Sequence, residues 1–356
     1  MTHASRRRFL SAATIGAIAA PTLVRAQESF NWRMVTSWQK NLPGPGVSAE
    51  RLAQRITTMS NGRLRITVFP AGAIAPAFGV LEAVSTGAAE MGHTASFFWD
   101  GSLPGAAFFT TAPFGMGPLG HQIWIEQRGG QELWDELYRP RGVRGLLAGN
   151  TGPSMGGWFR RQINSVDDIR GLRIRVSGMG GDVYAALGAV PQNIPPGDIF
   201  ASLERGTIDA VELLAPVNDL PMGFERHAPF YYMPGFNKPN GAGEALFSLA
   251  AFAKLPADLQ RIVEVCCQAE HSAALAEAGH ANATALLELV SKGAKISAFP
   301  QDVMKAAHAK TNEVIDAKAQ KSPQAAKIVA SWREALKAGG PWSRIESYSE
   351  QAMRTL

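Results

Sequence analysis

The side chains best suited by type and spacing to capture a small anion each close a short apolar run. Asn150 follows Leu146-Leu147-Ala148, Arg175 follows Leu172 and Ile174, and Glu212 follows Ile208 to Val211. A polar residue closing such a run reads as a strand end. In open α/β sheets ligands collect at the carboxyl ends of strands, so the three are expected to converge on one crevice. There Arg175 would hold a carboxylate through two parallel N–H···O bonds, a geometry that Lys cannot supply, and Asn150 would donate to an oxygen on the adjacent carbon. Trp38, closing the first predicted strand, and Phe97, in Phe97-Phe98-Trp99 after the third, lie at the same end of the sheet. Aromatics in that place cover a ligand or pack one lobe on another, and spacing does not separate the two.

Other chemistries fit less well. Gly152-Pro153-Ser154-Met155-Gly156 has the G-x-S-x-G spacing of a hydrolase nucleophile elbow, but an elbow runs directly into a helix. Here Gly156-Gly157-Trp158-Phe159 follows, which suits a strand, and a secreted hydrolase using Ser154 is kept as the alternative. His271 and His280 share a helical stretch, nine residues apart and therefore on opposite faces, so they cannot chelate one metal. His93, His121 and His227 stand alone and read as structural. The glycines at 178, 180 and 181 lack the spacing of a phosphate cradle.

The elements that must position these residues alternate. Strands are expected at 30–36, 64–69, 90–94 and 143–149, with helices at 47–59, 76–87 and 121–138 between them. This alternation predicts parallel βαβ units. A second α/β lobe is expected from strand 156–163, a helical turn at 166–169, and helices 180–187 and 198–205. Residues 245–252 read as a strand returning to the first lobe. From Pro256 no strong breaker occurs before Gly293, which predicts a helix near 55 Å long, enough to run behind both lobes as a spine. Residues 301–356 read as three helical segments, divided at Lys321-Ser322-Pro323 and at Gly339-Gly340-Pro341.

The amino terminus reads as an export signal. Arg6-Arg7 before Phe9-Leu10 is a twin-arginine pattern, the apolar run from Ala12 to Val24 is too short to span a bilayer, and Val24-Arg25-Ala26 offers a cleavage site. Four arginines lie in that segment and no acid does, so the net charge of +5 falls to +1 once residues 1–26 are removed. Nucleic acid and anionic membrane are thereby poor partners. The two cysteines, Cys266 and Cys267, are adjacent on a helix and read as core residues.

Over nearly the whole mature chain the sequence resembles the solute-binding proteins of tripartite ATP-independent periplasmic (TRAP) transporters, and within them the branch that binds 2-oxo acids. The resemblance rests on N-T-G…M-G-G-W-F-R-R from Asn150, L-R-I-R-V from Leu172, G-D-I…L-E-R-G-T-I-D-A from Gly197 and A-P-F-Y-Y-M-P-G from Ala228. It implies an α/β two-lobed periplasmic binding protein fold, each lobe a mixed or mostly parallel sheet flanked by helices, with a long spine helix. Lobe I is expected at 27–150 plus about 237–300, including the helix 256–292; lobe II at 151–236; and C-terminal helices at 301–356. The implied activity is to bind a small organic acid, a 2-oxo or 2-hydroxy monocarboxylate, in the interlobe cleft and pass it to TRAP membrane permease subunits, without bond-making chemistry. The implied assembly is a monomer or a homodimer exchanging a C-terminal helix.

That branch bridges ligand and protein through a sodium or calcium ion on oxygen donors, and here the pattern departs. By motif the donors fall on Ser154, Glu212, Leu213 and Lys238, the last within Pro234-Gly235-Phe236-Asn237-Lys238-Pro239. An ammonium repels a hard cation at close range. The expectation is therefore a site without cofactor or metal, in which Lys238 takes the place of the ion beside Glu212 and Asn237 lines the same turn. A register one residue away around Pro239 would instead leave Glu212 to a cation. Leu213, where the branch has tryptophan, is expected to widen the crevice.

Overall fold

The computed structural model describes residues 28–354; the expected export signal and cleavage site lie outside them. The first half of the chain runs β1 (Phe30–Thr36), α1 (Pro45–Met59), β2 (Leu64–Phe69), α2 (Val80–Ser85), β3 (Met91–Thr94), α3 (Pro118–Gln127), α4 (Gly130–Tyr138) and β4 (Val143–Asn150). Then come β5 (Gly157–Phe159), β6 (Arg173–Arg175), α5 (Met179–Ala186), β7 (Val190–Gln192), α6 (Ile199–Glu204), β8 (Ala210–Val211), α7 (Pro216–Asp219) and β9 (Phe230–Met233). The last part is β10 (Ala242–Ser248), α8 (Leu249–Phe252), α9 (Ala257–Ser291), β11 (Lys295–Ala298), α10 (Gln301–Ala319) and α11 (Pro323–Arg354).

Two mixed sheets result. The first has the order β2-β1-β3-β10-β4 and the second β11-β9-β5-β8-β6-β7. In the first, β1 is parallel to β2 and β3, and β10 returns antiparallel between β3 and β4. Successive strand residues point to opposite faces, and each sheet has a core on both sides for that reason. Val35, Leu147 and Leu246 enter one core of the first sheet, while their neighbours Met34, Ala148 and Ala245 enter the other. Phe159 and Tyr232 are split in the same way from Trp158 and Tyr231 in the second sheet.

Helix α9 joins the two halves. Its 35 residues span about 50 Å at 1.5 Å per residue. Leu259, Val263, Cys266 and Cys267 pack in a core of the first sheet, and Leu289 packs in a core of the second. It is held to α1 through Glu270, whose fully buried carboxylate receives Ser48 Oγ at 2.8 Å and Arg51 Nη2 at 2.7 Å. On the other lobe, Val217 N donates to Asn282 Oδ1 at 3.0 Å.

The sequence expectations need correction in four places. Residues 121–138 form two helices, because Gly129 takes a left-handed φ of 78° between them. Only the first part of 245–252 is strand, and it ends in α8. Residues 295–298 lie in the second sheet beside β9, not in the first lobe, so the spine helix delivers the chain to the far lobe. Finally, α11 continues through Gly339-Gly340-Pro341. Proline removes one helical N–H bond, but this stretch is exposed or half-buried, and Lys337, whose carbonyl loses that bond, is exposed.

Removing the Glu270 carboxylate takes the acceptor from the partly buried Arg51 and Arg55 guanidinium groups and from the buried Ser48 hydroxyl at the junction of α1 with the spine. Glu270→Ala is expected to lower the unfolding free energy by about 1–3 kcal/mol, the range for hydrogen bonds to a charged group lost at a partly buried site, measured by urea denaturation; no measurable loss would show that Glu270 does not tie the lobe to the helix.

Candidate functional site

Strands β6 and β8 run parallel with Arg175 opposite Val211, so the chain emerges from their carboxyl ends with Arg175 and Glu212 side by side. Glu212 N donates to Arg175 O at 2.8 Å. The Arg175 side chain is buried, with Nη1 donating to Glu212 O at 2.6 Å and Nε to Ile194 O at 3.0 Å. Among the described residues Nη2 has no acceptor, and no carboxylate lies within ion-pair distance of the guanidinium. Burial lowers the Arg175 pKa to about 10, with Glu212 and Asp219 opposing the shift.

Lys238 reaches the same point from the turn after β9. A Cβ at Gly235 would run into the Ser154 carbonyl, so only glycine lets this turn lie against the segment before β5. Ser154 N donates to Lys238 O at 3.0 Å and closes the contact. The Lys238 ammonium, itself buried, lies 2.8 Å from Glu212 Oε1 and donates to Leu213 O at 2.6 Å. It also stands 5.4 Å from the centre of the Phe97 ring. Burial pushes the Glu212 carboxyl up and the Lys238 ammonium down, and their mutual attraction opposes both shifts.

A cavity of about 30 Å³ adjoins Lys238, with walls that include Trp38, His93, Phe97, Asn150 and Ala274. A water needs roughly 10–15 Å³ by this measure, so the room is for two or three groups of that size. Of the residues predicted from sequence, Trp38, Phe97, Asn150 and Lys238 line it. Arg175, Ser154, Glu212, Leu213 and Asn237 do not, and Lys238 connects the cavity to Glu212 and Leu213. Around Lys238 the Asn237 amide helps to hold the Glu212 carboxylate ionised, while the buried Ser154 Oγ and Asn237 Oδ1 find no hydrogen-bond partner. Such atoms are costly to bury alone.

Three expectations change. Asn150 does not offer its N–H groups to a guest: Nδ2 donates to Asn240 Oδ1 at 2.9 Å and lies 3.4 Å from His271 Nε2, while Oδ1 accepts from Gly152 N at 2.8 Å. The Leu213 side chain does not border the crevice, since it is packed with Trp158 and Ile199 in the core; the neighbouring Leu214 lines the cavity. Ser154 is followed by β5, not by a helix, and no base meets its Oγ, so the hydrolase alternative falls.

Sequence reasoning missed the scaffold of the wall. His93 is fully buried, receives Trp38 Nε1 on Nδ1 at 2.8 Å and bonds Ala148 O through Nε2 at 2.9 Å. It was read as structural, which fits, but its hold on Trp38 has no sequence signal. Asn240, two residues from Lys238, could have been suspected from that proximity. Asn218 closes the lip between the lobes, with Nδ2 donating to Pro43 O at 2.8 Å.

The model of the bacterial extracellular solute-binding protein, family 7, matches residues 38–322. The chain is 35% identical to a monocarboxylate 2-oxoacid-binding periplasmic protein of Nostoc sp., over 97% of each. Among solved structures, a TRAP transporter solute-binding protein of Bordetella bronchiseptica, a dimer with calcium and picolinate in one active site, is similar at 34% identity and a TM-score of 0.89, over 92% of this chain and 99% of that one. A TRAP periplasmic solute-binding protein of Pseudoalteromonas atlantica with bound sodium and pyruvate is similar at 37% identity and a TM-score of 0.87, over 91% and 99%.

These structures overturn the expectation of a site without a metal, because both relatives hold a cation together with the ligand. No group of three or more His, Cys, Asp or Glu among the described residues could hold a metal. A cation here would need neutral oxygens among its donors, such as Ser154 Oγ and Asn237 Oδ1, beside the Glu212 carboxylate; these are of the hard type that sodium and calcium take. A second carboxylate at this point should strengthen such a site. Lys238→Glu is expected to raise the thermal stabilisation that calcium confers above that of the unaltered chain, read as the calcium-dependent change in Tm; an equal change in the two proteins would show that position 238 is remote from the cation.

Proposed function

Since the chain belongs to family 7 of the bacterial extracellular solute-binding proteins, the DctP family, we propose that its cleft closes on a small 2-oxo or 2-hydroxy monocarboxylate through Arg175 and Lys238. The protein is an extracytoplasmic TRAP solute-binding protein for small organic acids. The observation that carries the finer reading is Arg175: a buried guanidinium, oriented by two backbone carbonyls, with no carboxylate paired to it. A buried cation of this kind is stabilised by an incoming anion. The edge formed by Nη1 and Nη2 keeps N–H groups for the guest's carboxylate. Lys238 and Glu212 set the charge beside the 2-position, and the free lone pair of Asn150 Oδ1 suits a 2-hydroxyl. The apolar end of the guest lies against Trp38 and Phe97. Glu212, with Ser154 and Asn237, would hold a sodium or calcium ion, which adds positive charge next to the carboxylate.

Binding favours the closed arrangement because the two walls come from different lobes, and only their closed state offers both sets of contacts. Opening at the membrane subunits of the transporter would release the acid. Arg6-Arg7 would direct export by the twin-arginine route.

The end of α11 supports a dimer. Trp342, Ile345, Tyr348 and Met353 are all exposed and recur at helical spacing, so we assign this stripe to a second copy of the chain. The relative from Bordetella bronchiseptica is itself a dimer.

Arg175→Lys keeps the charge and loses the fork, so it is expected to weaken pyruvate binding by about 10- to 100-fold in calorimetric titration of protein shown to be folded; an unchanged affinity would remove Arg175 from the site. The full mature chain is expected to run as a dimer in size-exclusion chromatography with light scattering, and a chain ending before Gly339 as a monomer; a monomeric mature chain would sink the assignment of the stripe.

A further inference from the structure

Away from the cavity, one lysine touches an acid of each lobe. Lys318, near the end of α10, lies 2.5 Å from Asp100 Oδ2 and 2.9 Å from Asp182 Oδ2. Asp100 follows Phe97-Phe98-Trp99 in the first lobe, and Asp182 lies in the first turn of α5 in the second. The two segments meet beside the ligand wall: Gly178, which precedes α5, takes a φ of +66°, and a Cβ there would lie 2.9 Å from the Cβ of Phe97.

Asp100 is built to receive this lysine. It is buried, and its Oδ1 accepts Gly105 N at 3.1 Å and Ala107 N at 3.3 Å. Its Oδ2 is buried with no hydrogen-bond partner, so the ammonium is the one group that answers it among the described residues. The Lys318 side chain is 17% exposed, and its pKa is raised because the two acids outweigh its burial. Helix α10 is shared between lobes as well: Val303 and Ala307 pack in a core of the second sheet and Ile315 in a core of the first. Whichever lobe carries α10 when the cleft opens, one of the two lysine contacts crosses the boundary.

We propose that Lys318 is a positioning residue for ligand binding, a clasp that joins Asp100 to Asp182 when the cleft is closed and so retards release of the guest. It touches no ligand and acts through the distance between Phe97 and the start of α5. The proposal rests on the reading that the cleft closes on an organic acid, but the clasp can be read without ligand. An ion pair made in one state and broken in the other adds its differential free energy to the closed state. Because the contact is partly exposed, salt weakens it.

The test uses the full mature chain and its K318M, K318R and D182N variants. Stopped-flow release of pyruvate is expected to be about tenfold faster in K318M, by the size of a typical coupling between sites, with D182N changed in the same direction by a smaller factor and K318R restored towards the unaltered rate. In the ligand-free proteins, small-angle X-ray scattering is expected to give a larger radius of gyration for K318M than for the unaltered chain, and potassium chloride should expand the unaltered chain more than K318M. Release rates and radii in K318M and D182N equal to those of the unaltered chain would overturn the clasp. Should K318M fail to fold, D182N, which loses a half-exposed carboxylate and keeps the Asp100 pair, and the salt series decide alone, no change in either counting against it. If the unaltered chain does not bind pyruvate, the ligand assignment fails, and the scattering comparison still decides the clasp.

Discussion

The structure depends on keeping two cations out of water at the junction of two sheets. Arg175 and Lys238 are both buried, and burying an ion costs several kcal/mol unless partners offset it. Glu212 is the common partner. Its carbonyl takes the guanidinium and its carboxylate takes the ammonium. The cost of this arrangement explains the surroundings: Ile194 O and Leu213 O are turned inward to accept, and Asp219 fixes the loop after β8 by receiving Leu214 N, Trp158 Nε1 and Tyr231 Oη. Ser154 Oγ and Asn237 Oδ1 remain there without a hydrogen-bond partner.

The rest of the fold keeps that junction narrow. Helix α9 lies in a core of each lobe, so the lobes can move about it but cannot drift apart. Asn218 and Lys318 bridge the lobes at separate places. Small residues make the contacts between lobes close enough to matter. Gly178 admits Phe97, and Gly44 admits the Asn218 amide. The free space between the lobes is small, and His93 holds its aromatic wall.

Much of this was legible in the chain. The strand ends at Asn150, Arg175 and Glu212 were readable because an apolar run followed by a polar residue marks where a buried strand stops; of the three only Asn150 lines the cavity. The spine helix was readable because 35 residues pass without a strong breaker. Leu213 was misread because the loop after β8 is too short to show alternation, and only packing reveals which of Leu213 and Leu214 turns inward. Residues 295–298 were misplaced because a strand's partner is a matter of distant pairing, which local pattern does not carry. The metal was misjudged for a related reason: a single ammonium in the motif was weighed without the neutral oxygens that other segments bring beside it.

By itself the amino-acid order determined which residues end strands and where the long helix runs, since these follow from local periodicity. Tertiary structure alone decided that Asn150 spends its N–H groups on Asn240 and His271, and that Lys318 links Asp100 with Asp182. Each of these joins residues at least 90 positions apart in the sequence, as between Asn150 and Asn240. The physical reason is that hydrogen bonds and ion pairs act over about 3–4 Å, and no local pattern encodes which distant atoms folding will bring within that range.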